Sequence, residues 1–494
     1  MRVSIINPDS DTAKSQGKYS IFGTAMPPMG IAYLATRLTE ENSDIQIIDQ
    51  YVEKISNNQL IERIRSFNPQ IIGISCLTAA MGNVEKLVAQ MKKENFKAKI
   101  VLGNIHASLF ADQLLKEDKA DIIVRGEGED TFSELVHCLA KEDDYSGIKG
   151  ISYSQDDKII HNPDRNTFVD LDKNSFPNWD LLPYQKYNSV PLLGVDNEIL
   201  LHIQASRGCP YKCYFCSQEN MHHKVRVRKV KSVVDEIEYQ SRKYNVNKFA
   251  FVDSYFPMTE EYGFTFAEEM IKRGLHKKIK WATETRVDKV SYRLLEKLKQ
   301  AGMSLIMYGF ESGEQAILDS CNKHITVEQS KVAMRHTKNL KIPSLGFFIL
   351  GLPGDTRQSI NKTIKFAQEL DCDLVKFNIA IPTPGSKFFE IWKKDNPDAD
   401  LSPEKFSSWY SPEEGGKMLY LPKGINSKEL EGLRAKAMIS YYLRPKVIFR
   451  SLSRGLISLG NIFKGMKVLM SEFSDNYSEI IRFPKSKACN KGVK

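Results

Sequence analysis

No apolar run in this sequence reaches the roughly 18 residues that a membrane span needs. Its N-terminus, Met1-Arg2-Val3-Ser4-Ile5-Ile6-Asn7-Pro8, lacks the basic, apolar and small-residue order of a secretory signal. Neither a membrane-spanning nor an exported chain is indicated, and the expected location is the cytoplasm. Cysteine is scarce: eight occur in 494 residues, and five of them are scattered at 76, 138, 321, 372 and 489. A disulfide framework does not look like this in a large intracellular chain. Nor does a G-x-G-x-x-G follow the first expected strand, which disfavours a dinucleotide.

Acidic residues are in the minority, 61 against 70 Lys and Arg, and such a surplus spread over one face would suggest nucleic acid. It is not spread. From Tyr442 onward eleven Lys and Arg stand against only Glu472, Asp475 and Glu479. Nearly all of the surplus belongs to this tail, so the body is close to neutral and no nucleic-acid partner is expected. The remaining composition, 41% hydrophobic and 27% charged, is that of an ordinary globular protein, and the length asks for two or three cores.

What is present is alternation. In the first 140 or so residues short β-branched runs at Val3–Asn7, Ile45–Asp49, Ile71–Ser75, Lys99–Leu102 and Asp121–Val124 are separated by helical patterns. Parallel strands need crossover helices, so this order predicts an α/β unit with a doubly wound parallel sheet, whose ligands bind beyond the carboxyl ends of the strands. Residues 146–197 are polar and broken by Pro163, Pro177 and Pro183, which predicts a linker with one hairpin. A second alternation follows, with strands expected near 199–205, 248–253, 280–285, 305–310, 344–350 and 374–380. Six such units over 198–392 predict a partial β/α barrel. Residues 393–494 read as helical and basic.

Directly after the first of these six strands comes Arg207-Gly208-Cys209-Pro210-Tyr211-Lys212-Cys213-Tyr214-Phe215-Cys216. Three thiolates on one loop can converge on a soft metal centre, and no fourth cysteine stands nearby. His222 and His223 follow closely, so a structural Cys₃His zinc site is the bland alternative. Zinc knuckles, however, favour Cys-x₂-Cys pairs.

This spacing, with the aromatic Phe215 ahead of the last cysteine, resembles the signature of the radical S-adenosylmethionine (SAM) superfamily. The resemblance implies a [4Fe–4S] cluster held by Cys209, Cys213 and Cys216, with SAM on the iron that lacks a protein ligand. Reductive cleavage of SAM would give a 5′-deoxyadenosyl radical, with electrons from an external donor of flavodoxin or ferredoxin type. It further implies SAM contacts from Phe215, from Asp253 at the second strand end, Glu284 and Arg286 at the third, and Gly309 and Glu311 at the fourth. For each acid taken alone, a helix cap or a solvated group is the simpler reading. No motif names a catalytic acid or base.

A doubly wound sheet ahead of such a barrel resembles the cobalamin-binding subclass, which makes residues 1–145 a cobalamin-binding domain. The residues at its strand ends are Ser75, Thr78, Gly103, Asn104, His106, Gly126 and Glu127, and the resemblance places them around the corrin or its tail. Tight turns are the competing explanation for the glycines. Around His106 the sequence reads Asn104-Ile105-His106-Ala107-Ser108-Leu109, without the Asp and Gly of the Asp-x-His-x-x-Gly motif that supplies a lower cobalt ligand in mutases. Lacking a carboxylate to orient the imidazole, His106 is expected to be a hydrogen-bonding wall residue or a packed structural histidine.

Three functions follow from this reading. The first is methylation of an unactivated carbon in a small-molecule or lipid-like substrate. The second is radical oxidation or ring closure, as in the oxygen-independent porphyrin cyclases. The third is a cobalamin sensor with a structural zinc loop. The basic stretch Tyr441–Met470 adds peripheral membrane contact as an expectation, against a helical subdomain that closes the open side of the barrel. Pro445, Gly455, Gly460 and Gly465 interrupt any long helix there.

Overall fold

The computed structural model describes residues 1–10, 26–187, 199–222, 224–407 and 418–453, with scattered positions between 465 and 474. His223 and most of the tail beyond 453 lie outside the described residues.

Strands β1 (Arg2–Asn7), β2 (Asp44–Asp49), β3 (Ile71–Ser75), β4 (Lys99–Gly103) and β5 (Ile122–Val124) are parallel, in the spatial order β2-β1-β3-β4-β5. Their near-continuous Ile and Val content reflects burial on both faces. Val3 and Ile5 join the core under the helices at 29–40 and 128–140, while Ile6 joins the one under the helices at 57–67 and 81–93. Local chemistry fixes the helix ends. Ser56 and Gln59 form a capping box ahead of the helix at 57–67, and Asn68 ends it in the left-handed conformation, φ 50°. The order reverses at β1, which brings Asn7, Ser75 and Gly103 to neighbouring strand ends.

The hairpin expected within 146–197 forms as β6 (Ile151–Gln155) and β7 (Lys158–His161). It pairs antiparallel with β5 and extends the first sheet to seven strands. Its turn residues Asp156 and Asp157 both have positive φ, 49° and 59°, as a two-residue hairpin of matching twist requires. The segment that follows straps the two sheets together. The fully buried Trp179 donates from Nε1 to Gln240 at 3.0 Å, and the Tyr187 hydroxyl donates to Asp49 at 2.8 Å.

The second sheet opens with β8 (Leu201–Ile203). A short antiparallel pair, β9 (Ser206–Arg207) and β10 (Arg226–Val227), brackets the cysteine loop. Then come β11 (Lys248–Phe251), β12 (Lys280–Thr285), β13 (Met303–Glu311), β14 (Ser344–Leu350) and β15 (Leu374–Ile379). The six strands β8, β11, β12, β13, β14 and β15 are all parallel and adjacent in sequence order, the partial (β/α)₆ barrel. Outward aromatics pack against the helices: Phe251 stacks on Phe256 at 3.9 Å, and Trp281 meets both edge-on. Inward, Leu200, Ala250, Ala282, Leu305 and Leu374 form a separate apolar floor. The helix Ser427–Tyr442 lies against the edge strand β15, where the Tyr441 hydroxyl donates to the Cys372 carbonyl at 2.5 Å. No helix among the described residues is long and apolar enough to cross a membrane.

Candidate active site

The cysteine loop starts from a glycine that geometry makes necessary. Gly208 has φ 88°, and a Cβ there would stand 2.7 Å from the Lys224 carbonyl oxygen. Beyond it, Tyr214 N–H donates to the Cys321 carbonyl at 2.9 Å, and Phe388 N–H to the Tyr214 carbonyl at 2.9 Å. The Asn322 amide donates to the Lys212 carbonyl at 2.8 Å. Cys209, Cys213 and Cys216 are all partly exposed, and burial pushes the Cys213 and Cys216 thiols up while Lys323 pulls them down. Cys321 supplies its carbonyl, and its thiol is buried and pushed up to about 12.

Among the described residues no three His, Cys, Asp or Glu side chains converge on a single ion. Thiolates that bind different irons of a cubane need not converge on one ion. His222 is also engaged elsewhere, its Nδ1 standing 3.0 Å from Glu127.

Of the residues expected around SAM, four gather beside Cys213. Glu311 sits at an irregularity of β13 with φ 63° and accepts from the buried Lys323 Nζ at 2.6 Å. Gly309 leaves room for that pair, since a Cβ there would meet Glu311 Oε1 at 2.5 Å and Lys323 Nζ at 3.1 Å. Arg286 stacks on Tyr211, its guanidinium carbon 3.6 Å from the ring centroid, and donates to the Lys323 carbonyl at 2.8 Å. Phe215 lies under the Lys323 ammonium, 5.9 Å away. Asp253 is set apart from these. It is buried, its carboxyl is pushed up to about 7 by burial, and it accepts from Ala205 N–H at 3.0 Å and from the Ser206 hydroxyl. It thereby fixes the root of the cysteine loop. Glu284 faces the barrel interior, nearer the floor. Sequence reasoning missed Lys323, which follows a short helix and carries no motif.

At the first sheet, Asn104 (φ 77°) donates from Nδ2 to Ser75 Oγ at 3.0 Å beside Gly103. His106 Nδ1 stands 3.1 Å from Thr78 Oγ1, and its ring packs 4.5 Å from Phe110. Burial pushes that imidazole down to about 4, so it is neutral at ordinary pH. Gly126 has φ 72°, and its N–H donates to Ser108 Oγ at 3.1 Å. Glu127 is spent on charge. Burial opposes ionisation, but His222, Arg226 and Arg207 together hold the carboxyl down to about 2. Arg207 also reaches Glu129 at 2.5 Å and lies over the Tyr33 ring at 5.5 Å. The strand ends of the first sheet are thus clamped to both flanks of the cysteine loop.

Two family models match this chain: the B12 binding domain over residues 21–136 and the radical SAM superfamily over residues 203–367. Over 456 residues it is 32% identical to an uncharacterized methyltransferase of Pyrococcus horikoshii, covering 92% of this chain and 95% of that one. The chain belongs to the cobalamin-binding radical SAM family. It is a radical SAM enzyme. It is also 32% identical over 400 residues to the anaerobic magnesium-protoporphyrin IX monomethyl ester cyclase of Rubrivivax gelatinosus, covering 79% of this chain and 70% of that one. The fold matches the radical SAM methyltransferase TsrM of Kitasatospora setae, solved with cobalamin and a [4Fe–4S] cluster. The TM-score is 0.69 at 15% identity, covering 97% of this chain and 99% of that one.

Proposed function

We propose that this enzyme methylates an unactivated carbon of a small molecule, using cobalamin, SAM and a [4Fe–4S] cluster. The observation that carries the reading is the near full-length likeness to the Pyrococcus methyltransferase, 92% of this chain and 95% of that one. The donor set fits. Three thiols share one loop, and three thiolates on a cubane leave one iron for SAM. A bound cluster and SAM together supply a substrate radical, and bound cobalamin supplies a methyl carrier.

The chain's own residues then do the positioning. Residues 198–392 form the radical SAM domain, in which Cys209, Cys213 and Cys216 hold the cluster. Arg286, Gly309, Phe215 and the Glu311–Lys323 pair form the wall on which SAM lies, and Asp253 fixes the loop root. Residues 1–145, with the added hairpin, form the cobalamin domain, with Ser75, Thr78, Gly103, Asn104, His106 and Gly126 at its mouth. Glu127 holds that mouth against the cluster loop. Electrons come from an external donor of flavodoxin or ferredoxin type.

Ring closure is the second reading, favoured by the 32% identity to the Rubrivivax cyclase. The test is anaerobic turnover with methyl-labelled SAM on a small-molecule extract of a strain lacking the gene. Both reactions release 5′-deoxyadenosine; methylation places the label in a product one methyl heavier, whereas ring closure leaves the product unlabelled.

A further inference from the structure

The body of the chain is close to neutral, but its charge is unevenly placed. The four helix-to-strand connections ahead of β11, β12, β13 and β14, residues 242–248, 272–280, 297–302 and 338–342, hold twelve Lys and Arg and no Asp or Glu. Cations in the last turn of a helix are ordinary, because they complement its dipole. That accounts for Lys272, Lys299 and Lys338. It does not account for Lys277, Lys278, Lys280 and Lys341, which lie past the α-helices. All four are exposed, and none makes an ion pair among the described residues.

These connections touch one another in turn. Lys280 N–H donates to the Asn247 carbonyl at 2.8 Å, Trp281 N–H to the Gly302 carbonyl at 3.3 Å, and Lys299 Nζ to the Leu340 carbonyl at 2.6 Å. Lys338 Nζ lies 3.8 Å from Asp371, just ahead of β15, and Lys446 Nζ lies 3.3 Å from the same carboxylate. A basic arc therefore runs along the base of the barrel to the helix Pro445–Ser453. In the connection ahead of β15 Glu369 is exposed, while Asp371 and Asp373 are taken up by Arg444, Lys446 and Arg450. At the end of the arc Leu443, Ile448, Phe449 and Leu452 are turned to solvent.

We infer that the base of the barrel, at the N-terminal ends of its strands, docks on an anionic lipid surface. Lipid headgroups match the ammonium groups of the arc, and the interfacial layer takes the apolar side chains beside it. A nucleic acid would match the lysines but leave the apolar side chains in water. The inference goes beyond the contact expected of the tail, because the folded barrel itself supplies the cations. It also orients the enzyme. The cluster loop stands at the opposite strand ends, so it faces away from the bilayer, and substrate and electron donor reach it from the water side. None of this depends on which reaction the site performs.

Lysine acetylation read by mass spectrometry tests the face on the full chain, with vesicles of phosphatidylcholine alone or mixed with phosphatidylglycerol at low salt. On the mixed vesicles Lys277, Lys278, Lys280 and Lys341 should be protected about threefold. Lys212 and Lys387, exposed beside the cluster loop, should react as they do in solution. Lys277→Gln, Lys278→Gln, Lys280→Gln and Lys341→Gln together should lower the partition coefficient about tenfold with Tm unchanged, since all four side chains are on the surface. No protection, protection of Lys212 and Lys387 instead, equal binding to phosphatidylcholine alone, or undiminished partition of the quadruple variant would each overturn the assignment. An RNA oligonucleotide that protects the four lysines more strongly than the vesicles do would overturn it too, in favour of a nucleic-acid face.

Discussion

Arg207 Nη2 lies 2.5 Å from Glu129 Oε1, and Arg207 is two residues ahead of Cys209. Both side chains are almost fully buried, at 5% and 6% exposure, so the pair is held away from water at the junction of the two sheets. Removing one partner of such a pair strands the other, at a cost of about 3–5 kcal/mol. Glu129→Gln leaves Arg207 its second contact, to Glu127 at 3.4 Å, so the unfolding free energy should fall by less, about 1–3 kcal/mol, and hydrogen exchange should speed up in residues 206–228 more than in β12. Unchanged exchange in the loop would mean that the clamp does not order it.

Glu127 gives a pH prediction. Its carboxyl is held down to about 2, against an ordinary 4.5, so the native state binds fewer protons than the unfolded chain between those values. The stabilisation is fully present above about pH 4.5 and is lost as pH falls towards 2. Chemical denaturation between pH 3 and pH 6 should therefore show a falling limb in the native chain that is shallower in Glu127→Gln. Equal slopes would show that the hub contributes nothing to acid stability.

How much of this was legible in sequence depends on how local each feature is. The cysteine loop was readable because its thiolates lie within eight residues, and the strands because Ile and Val runs recur. The hairpin was expected, but not its pairing with β5, because edge pairing is decided by the sheet already formed. Glu127 sat in a plausible glycine-rich strand end, yet its partners Arg207 and Arg226 are 80 and 99 residues away and nothing local announces them. Lys323 was hidden for the same reason. An ordinary lysine after a helix becomes a buried cation only when β13 brings Glu311 to it.

Cys209→Ala, Cys213→Ala and Cys216→Ala should each abolish the visible absorption of the reconstituted cluster, because two thiolates are too few to hold it. Cys321→Ala removes only a buried thiol whose backbone carbonyl does the positioning, so the cluster should form with a stability loss of about 1 kcal/mol. A cluster in Cys213→Ala, or none in Cys321→Ala, would require a different ligand set.

Gly309→Ala should separate SAM binding from folding. The added Cβ would stand 2.5 Å from Glu311 Oε1, which Lys323 pins in place, so that carboxylate must move. SAM affinity by equilibrium dialysis should fall about tenfold, or 1.4 kcal/mol. The loss in Tm should be small, since the displaced atom ends a flexible side chain.

The last prediction concerns the helix Pro445–Ser453. Its Val447 and Ser451 are buried against the body, while Ile448, Phe449 and Leu452 are turned to solvent, with Phe449 at 74% exposure. Arg444, just ahead of the helix, and Arg450 within it are paired with Asp371, at 3.3 Å and 3.0 Å. The contact with an anionic bilayer proposed for this tail would combine this apolar strip with the basic residues that follow, each worth about 1 kcal/mol near the surface. Removing residues 441 onward would also remove the buried Tyr441 that anchors β15, so the informative truncation ends at Ser453. In a flotation assay with phosphatidylcholine–phosphatidylglycerol vesicles, the full chain should float at low salt and sink at high salt. Phe449→Asp should float less, and the chain ending at Ser453 should not float. Flotation unaffected by either change would place any lipid contact elsewhere, and no flotation at all would leave the tail as packing for the barrel edge.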